Sequence, residues 1–115
     1  MKITLNLKPL SVNEAWQGRR FKTVKYARFE QAALRLLPEI EPPLPPYDIT
    51  ICNSFSNQAS DIDNPLKMTL DVLQKRYGIN DKHVYRIELL KVICKKGDEK
   101  TEITFNDFQK KINEK

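Results

Sequence analysis

Apolar and polar positions alternate from the first residues. In "KITLNL", Ile3, Leu5 and Leu7 fall on one side, which predicts a half-buried strand. "KPLSVNEAWQGRRFKT" follows, and Pro9, Asn13 and Gly18 break its regularity, so a long loop with little regular structure is expected. Loops of that length are commonly functional or disordered. Trp16 and Phe21 flank Gly18-Arg19-Arg20 and are expected to anchor the loop by packing rather than to stack on bases. "YARFEQAALRLLPEI" changes to a helical period, with Phe29, Ala32, Ala33, Leu36 and Leu37 on one face and Pro38 ending or bending the helix. "EPPLPP" is a stiff connector, too short to separate two domains.

Strand patterning returns in "YDITICNSF", residues 47–55, where Tyr47, Ile49 and Ile51 alternate with Asp48, Thr50 and Cys52. "SNQAS" is a polar loop. Asn64-Pro65 is a helix-start signal, with Asn as N-cap and Pro at the first helical position. The predicted helix runs to about Tyr77 with Gly78 as its stop. Leu66, Leu70, Leu73 and Tyr77 make its expected apolar stripe, and Asp63, Lys67 and Asp71, spaced i, i+4, i+8, make a polar line beside it. "HVYRIELLKVIC" and "EKTEITF" read as two further strands joined by a "KKGDE" hairpin turn, and "NDFQKKINEK" as a short terminal helix.

The expected fold is therefore α/β (α+β): a small single domain over residues 1–115, a mixed sheet packed with helices. Its 40% hydrophobic and 30% charged residues suit a globular domain. No apolar run approaches the roughly 18 residues of a membrane span. The opening "MKITLNLKPL" lacks the apolar block and small-residue cleavage site of a signal peptide, so a cytoplasmic protein is expected. Cys52 and Cys94 lie in expected strands and read as buried, reduced thiols, and zinc-type spacing is absent. His83 is the single histidine, which excludes His-rich metal sites and argues against a Ser-His-Asp triad.

Charge changes the picture more than composition does. The net charge is +5, but residues 1–28 hold seven Lys/Arg against Glu14 alone, a local +6, while the other 87 residues carry 13 basic and 14 acidic groups. A basic segment of this kind is either a phosphate-binding footprint or a solvated loop. The acids gather elsewhere. Asp61, Asp63, Asp71 and Asp81 fall within residues 56–84, at the end of a strand, along a helix and before the next strand, with Lys67 among them. Aspartates so placed can converge on one point. Converging carboxylates do not all ionise cheaply without a cation, and a hard ion such as Mg²⁺ prefers oxygen ligands. With a lysine to stabilise developing charge, the set suits phosphodiester hydrolysis. The same residues also have structural readings: Asp61 and Asp63 as helix caps, Asp81 as a turn residue, Lys67 and Asp71 as a surface pair.

Taken together, "SVNEAW…GRRFKT…Y" and "DIDNPLKMTLDVL…YGINDKHV" resemble the RusA family of Holliday-junction resolvases over most of the chain. The second block is similar to the family's D-x-D-N-x-x-K-x-x-x-D-x-L followed by an acidic D-D-x-x-V. The resemblance implies a homodimeric endonuclease that acts with Mg²⁺ on four-way DNA junctions, with Mn²⁺ expected to substitute. It implies that Asp61, Asp63 and Asp81 are metal-binding catalytic acids, Lys67 the catalytic lysine and Asp71 a further acid. Asn13, Arg19, Arg20, Lys22 and Lys25 are the DNA-contact candidates. The family's paired acids are here Asn80-Asp81, and the role falls to Asp81, which keeps the distance to Val84. The rival readings are a non-catalytic basic DNA-binding protein and a nuclease preferring another branched substrate.

Overall fold

Strand β4, Tyr47–Phe55, is the spine of the molecule. In the computed structural model, which describes residues 1–10, 16–17 and 21–109 (16–17 and 21–22 by backbone), it lies inside a four-stranded sheet of order β1-β6-β4-β5. Strand β1 is Lys2–Leu5, β5 is Val84–Ile93 and β6 is Lys100–Asp107. β4 runs antiparallel to β6 and parallel to β5, and β1 closes the far edge antiparallel to β6. The sheet is mixed and the fold α+β. Among the described residues, no helix is long and apolar enough to cross a membrane.

The period-two patterning survives intact. Ile3 and Leu5 of β1, Ile49 and Ile51 of β4, and Ile103 and Phe105 of β6 share one face and are all buried. Helix α1, Val24–Leu36, and helix α2, Leu66–Tyr77, cover that face with Ala33, Leu37, Val72 and Leu73. The opposite face carries Lys2, Thr4, Thr50, Cys52, Glu102 and Thr104, all exposed or half-buried. Inside the core, Thr101 donates to Asn53 Oδ1 at 2.7 Å, so two buried polar groups satisfy each other.

Several sequence expectations shift. The long loop contains a small antiparallel ladder, β2 (Trp16–Gln17) against β3 (Phe21–Lys22). The side chains of Trp16 and Phe21, for which packing was expected, lie outside the described residues. α1 starts two residues earlier than its pattern suggests, because Thr23 caps it by accepting from Tyr26 N at 3.2 Å. Its buried line is Tyr26, Ala33 and Leu37 with Phe29 half-buried, and Leu36 is 52% exposed. Tyr26 through Leu37 keeps one face at i, i+3, i+7, i+11, whereas Leu36 is turned about 100° away. The "KKGDE" segment turns at Gly97, φ 100°, but makes no hairpin. β5 and β6 lie on either side of β4, so the turn crosses over that strand's end, where Cys94 N donates to Phe55 O at 2.8 Å. Both cysteines are free and half-buried rather than buried. Asn106 and Asp107 are the last residues of β6 rather than the start of a terminal helix, and residues 110–115 lie outside the described residues.

Candidate active site

β4 and β5 are parallel, so the chain must return the length of the sheet between them, and α2 makes that return. The acids are strung along this crossover. After Phe55 the polar loop folds on itself. Asn57 Oδ1 accepts from Ala59 N at 2.8 Å, and Lys91 of β5 donates to the carbonyl oxygens of Gln58, at 2.7 Å, and Ser60. Two short turns follow, Asn64 N to Asp61 O at 3.3 Å and Leu66 N to Asp63 O at 3.1 Å, and these lead into α2. The expected Asn64 cap is absent. Pro65 occupies the cap position with no side-chain hydrogen bond, and its carbonyl receives both Thr69 N and Thr69 Oγ1. At the other end the stop is as read from the sequence. Gly78 takes φ 68°, left-handed backbone that suits glycine, and its N–H donates to Gln74 O.

The buried face of α2 is Met68, Thr69, Val72 and Leu73, turned about one residue from the expected stripe. α1 covers part of the helix through Tyr26 and Met68, which widens the buried sector. Leu66 and Leu70 are thereby left half-buried beside the polar line. They line an open cleft of about 300 Å³ together with Asp63, Lys67, Asp71 and Asp81. Four of the five sequence-predicted site residues thus share one surface. Asp61 is exposed and is not among the cleft-lining residues.

The cleft acids do not meet at a point. The end of β4 lies beside the end of β5, with Phe55 opposite Ile93, and the start of β5 lies beside the start of β4. Asp61 follows one end of the sheet and Asp81 precedes the other, with the 12-residue α2, about 18 Å long, between them. Among the described residues no three His, Cys, Asp or Glu side chains stand close enough to hold a metal ion together. In donor chemistry the cleft does fit a hard divalent ion: its titratable oxygens are all carboxylates, with one ammonium beside them.

Two cleft acids are held by neutral donors that sequence reasoning missed. Tyr26 OH donates to Asp71 Oδ2 at 2.6 Å, and Gln74 Nε2 donates to Asp81 Oδ1. Burial, then the Asp71 contact, pushes the Tyr26 phenol far above its ordinary range, so it remains a donor. Asp81 opens a 3₁₀ turn, Asp81–His83, capped by Asn80, whose Oδ1 accepts from Lys82 N at 3.1 Å. Asn80 therefore shapes the turn that begins with Asp81. Lys91 was equally unforeseen. Its signal is a lysine on the sheet face that α1 and α2 cover, in register with Asn53.

Of the DNA-contact candidates, Lys25 is exposed in the first turn of α1. Asn13, Arg19 and Arg20 lie outside the described residues, and Lys22 is described only by its backbone in β3.

A family model described as Endodeoxyribonuclease RusA matches residues 11–105. The chain belongs to the RusA family. The matched span holds the whole crossover with Asp61, Asp63, Lys67, Asp71 and Asp81, and the basic segment from Asn13 to Lys25. A search among curated proteins gives no match. RusA membership makes this an endodeoxyribonuclease fold, and the acid-lined cleft along α2 is where its side chains suit that chemistry.

Proposed function

We propose that the protein is a Mg²⁺-dependent endodeoxyribonuclease that resolves four-way DNA junctions by paired, symmetry-related nicks. On this reading residues 1–115 form one RusA-like domain that acts as a homodimer in DNA recombination and repair, in the cytoplasm. The observation that carries it is the cleft shared by Asp63, Lys67, Asp71 and Asp81 in a chain of the RusA family.

The resemblance assigns the cation to Asp61, Asp63 and Asp81, with Asp71 as a further ligand and Mn²⁺ able to replace Mg²⁺; of these, Asp63, Asp71 and Asp81 share the cleft and Asp61 lies outside it. When bound, such an ion supplies Lewis-acid polarisation of the scissile phosphate and a nucleophile at neutral pH. The protein's own groups do the rest. The Lys67 ammonium lies among the acids and stabilises negative charge developing on the phosphate. Leu66 and Leu70 give the cleft an apolar lining, which lowers the local dielectric and strengthens that interaction. The basic segment with Asn13, Arg19, Arg20, Lys22 and Lys25 offsets the repulsion between DNA and the carboxylates.

The homodimer draws support from β5. Among the described residues this ten-residue edge strand pairs only with β4, and it leaves Tyr85, Ile87, Leu90, Val92 and Ile93 exposed. Soluble proteins protect long apolar edges, and a second copy does so most simply. Antiparallel self-pairing about Ile87 would set Arg86 opposite Glu88 of the second copy, and Glu88 opposite Arg86, so the charges match in both directions.

A metal series on a synthetic four-way junction tests the reading. Mg²⁺ and Mn²⁺ should support cutting, while Ca²⁺, with its looser coordination, should permit binding but little cutting. Full cleavage in excess EDTA contradicts it. Binding without cutting under every ion would make the protein a non-catalytic basic DNA-binding protein, and faster cutting of another branched substrate would reassign its preference.

A further inference from the structure

Tyr26 is fully buried in α1, packed with Leu10, Met68 and the half-buried Phe29. A phenylalanine would fill that volume. A hydroxyl taken into the core is costly unless it is hydrogen-bonded. This one is bonded, to Asp71 Oδ2 at 2.6 Å, across 45 residues of sequence. That length is typical of an O–H donor on an ionised carboxylate, among the stronger neutral-to-charged contacts. The acceptor is not itself a core residue: Asp71 is half-buried and lines the cleft with Asp63, Lys67 and Asp81. Met68 and Asp71 are one helical turn apart on α2, so the ring packs on the first and the hydroxyl reaches the second.

We infer that Tyr26 is a positioning residue of the nuclease site, its buried hydroxyl fixing the orientation in which Asp71 faces the cleft. The inference rests on the metal-dependent reading above and extends it to a residue outside the cleft. One hydrogen bond occupies a fraction of a carboxylate's four lone-pair sites, so Asp71 keeps acceptor capacity for a cation. The bond also removes rotamer freedom that a mobile aspartate would lose on binding the ion. Groups that orient metal ligands from behind commonly change metal affinity or activity by about 10- to 100-fold when removed. Thr23 fixes where α1 begins by bonding Tyr26 N, so the same turn that starts the helix places the ring.

Tyr26→Phe keeps the ring and deletes the hydroxyl. Titration of the DNA-free protein with Mn²⁺ alone, followed by the paramagnetic signal of free ion, should show weaker binding by about 10- to 100-fold. Cleavage should fall at limiting Mg²⁺ and recover towards wild type in excess ion. Asp71→Asn, which keeps an acceptor for the tyrosine but removes the charge, should weaken Mn²⁺ binding by itself. Adding Tyr26→Phe to it should then change Mn²⁺ binding little, because both changes act through one carboxylate. If Tyr26→Phe lowers the melting temperature but binds Mn²⁺ as wild type does, the hydroxyl serves the core alone and the inference is overturned. If wild-type protein binds no Mn²⁺ and cuts in EDTA, the metal-dependent reading falls first and the inference with it.

Discussion

Asp63 and Asp81 both line the cleft along α2, and Lys67 lies in the first turn of that helix. Replacing either aspartate with asparagine keeps the shape and removes one charge. Asp63→Asn and Asp81→Asn are each expected to slow junction cleavage by roughly 100-fold or more, the scale for losing a charge-stabilising group, and Lys67→Ala should do the same. Junction binding should survive the aspartate changes, since fewer negative charges do not weaken attraction to phosphate. Single-turnover cleavage beside gel-shift binding separates the two effects, and wild-type cutting by Asp63→Asn would return that residue to a helix-start role. At this scale the sequence was informative about residue type and spacing but not about partners. Lys67 and Asp71 follow from helical geometry, and Asp63 joins them from the turn before the Pro65 cap, where its carbonyl accepts from Leu66 N. Tyr26, Gln74 and Lys91 carry no motif, and their hydrogen bonds join residues brought together by helix packing, a capped turn and strand register.

At the scale of elements, caps and crossovers decide where the acids fall. Gly78 ends α2 in left-handed backbone, and no atom crowds the space a Cβ would take. Gly78→Ala should therefore cost about 1 kcal/mol through backbone strain alone, with a small rise in the rate of unfolding and little change in the folded cleft. Chemical denaturation measures it directly. No loss of stability would mean the helix stop tolerates an ordinary residue. β1, β4 and the end of α2 were legible because their patterning is strictly periodic and bounded by glycine or polar residues. The β5–β6 connection was misread as a hairpin because a glycine-bearing turn between two strands looks alike whether they pair or straddle a third. Leu66 and Leu70 pack against the core as the stripe predicts and also line the cleft, which apolar period by itself does not show. The order of the acids along the chain allows them to converge. The parallel pairing of β4 and β5, which separates Asp61 from Asp81 by the length of α2, is a tertiary choice that the local pattern does not encode.

At the scale of the molecule, one chain offers one acid-lined cleft along α2, while resolving a four-way junction takes two nicks in strands of like polarity. A two-fold homodimer with one site per subunit matches that symmetry. Sedimentation at working concentration should give a dimer, and Ile87→Lys, which would place two like charges at the proposed axis, should shift it towards monomer. A wild-type protein that remains monomeric when bound to junction contradicts the paired mechanism. The most direct test of the whole account maps the cuts themselves. A synthetic junction with each of its four strands labelled in turn, incubated with the protein and Mg²⁺ beside a linear duplex of the same sequence, should show nicks at symmetry-related positions in two opposed strands, with the duplex spared and EDTA abolishing both cuts. Equal cutting of the linear duplex, or undiminished cutting in EDTA, would contradict it.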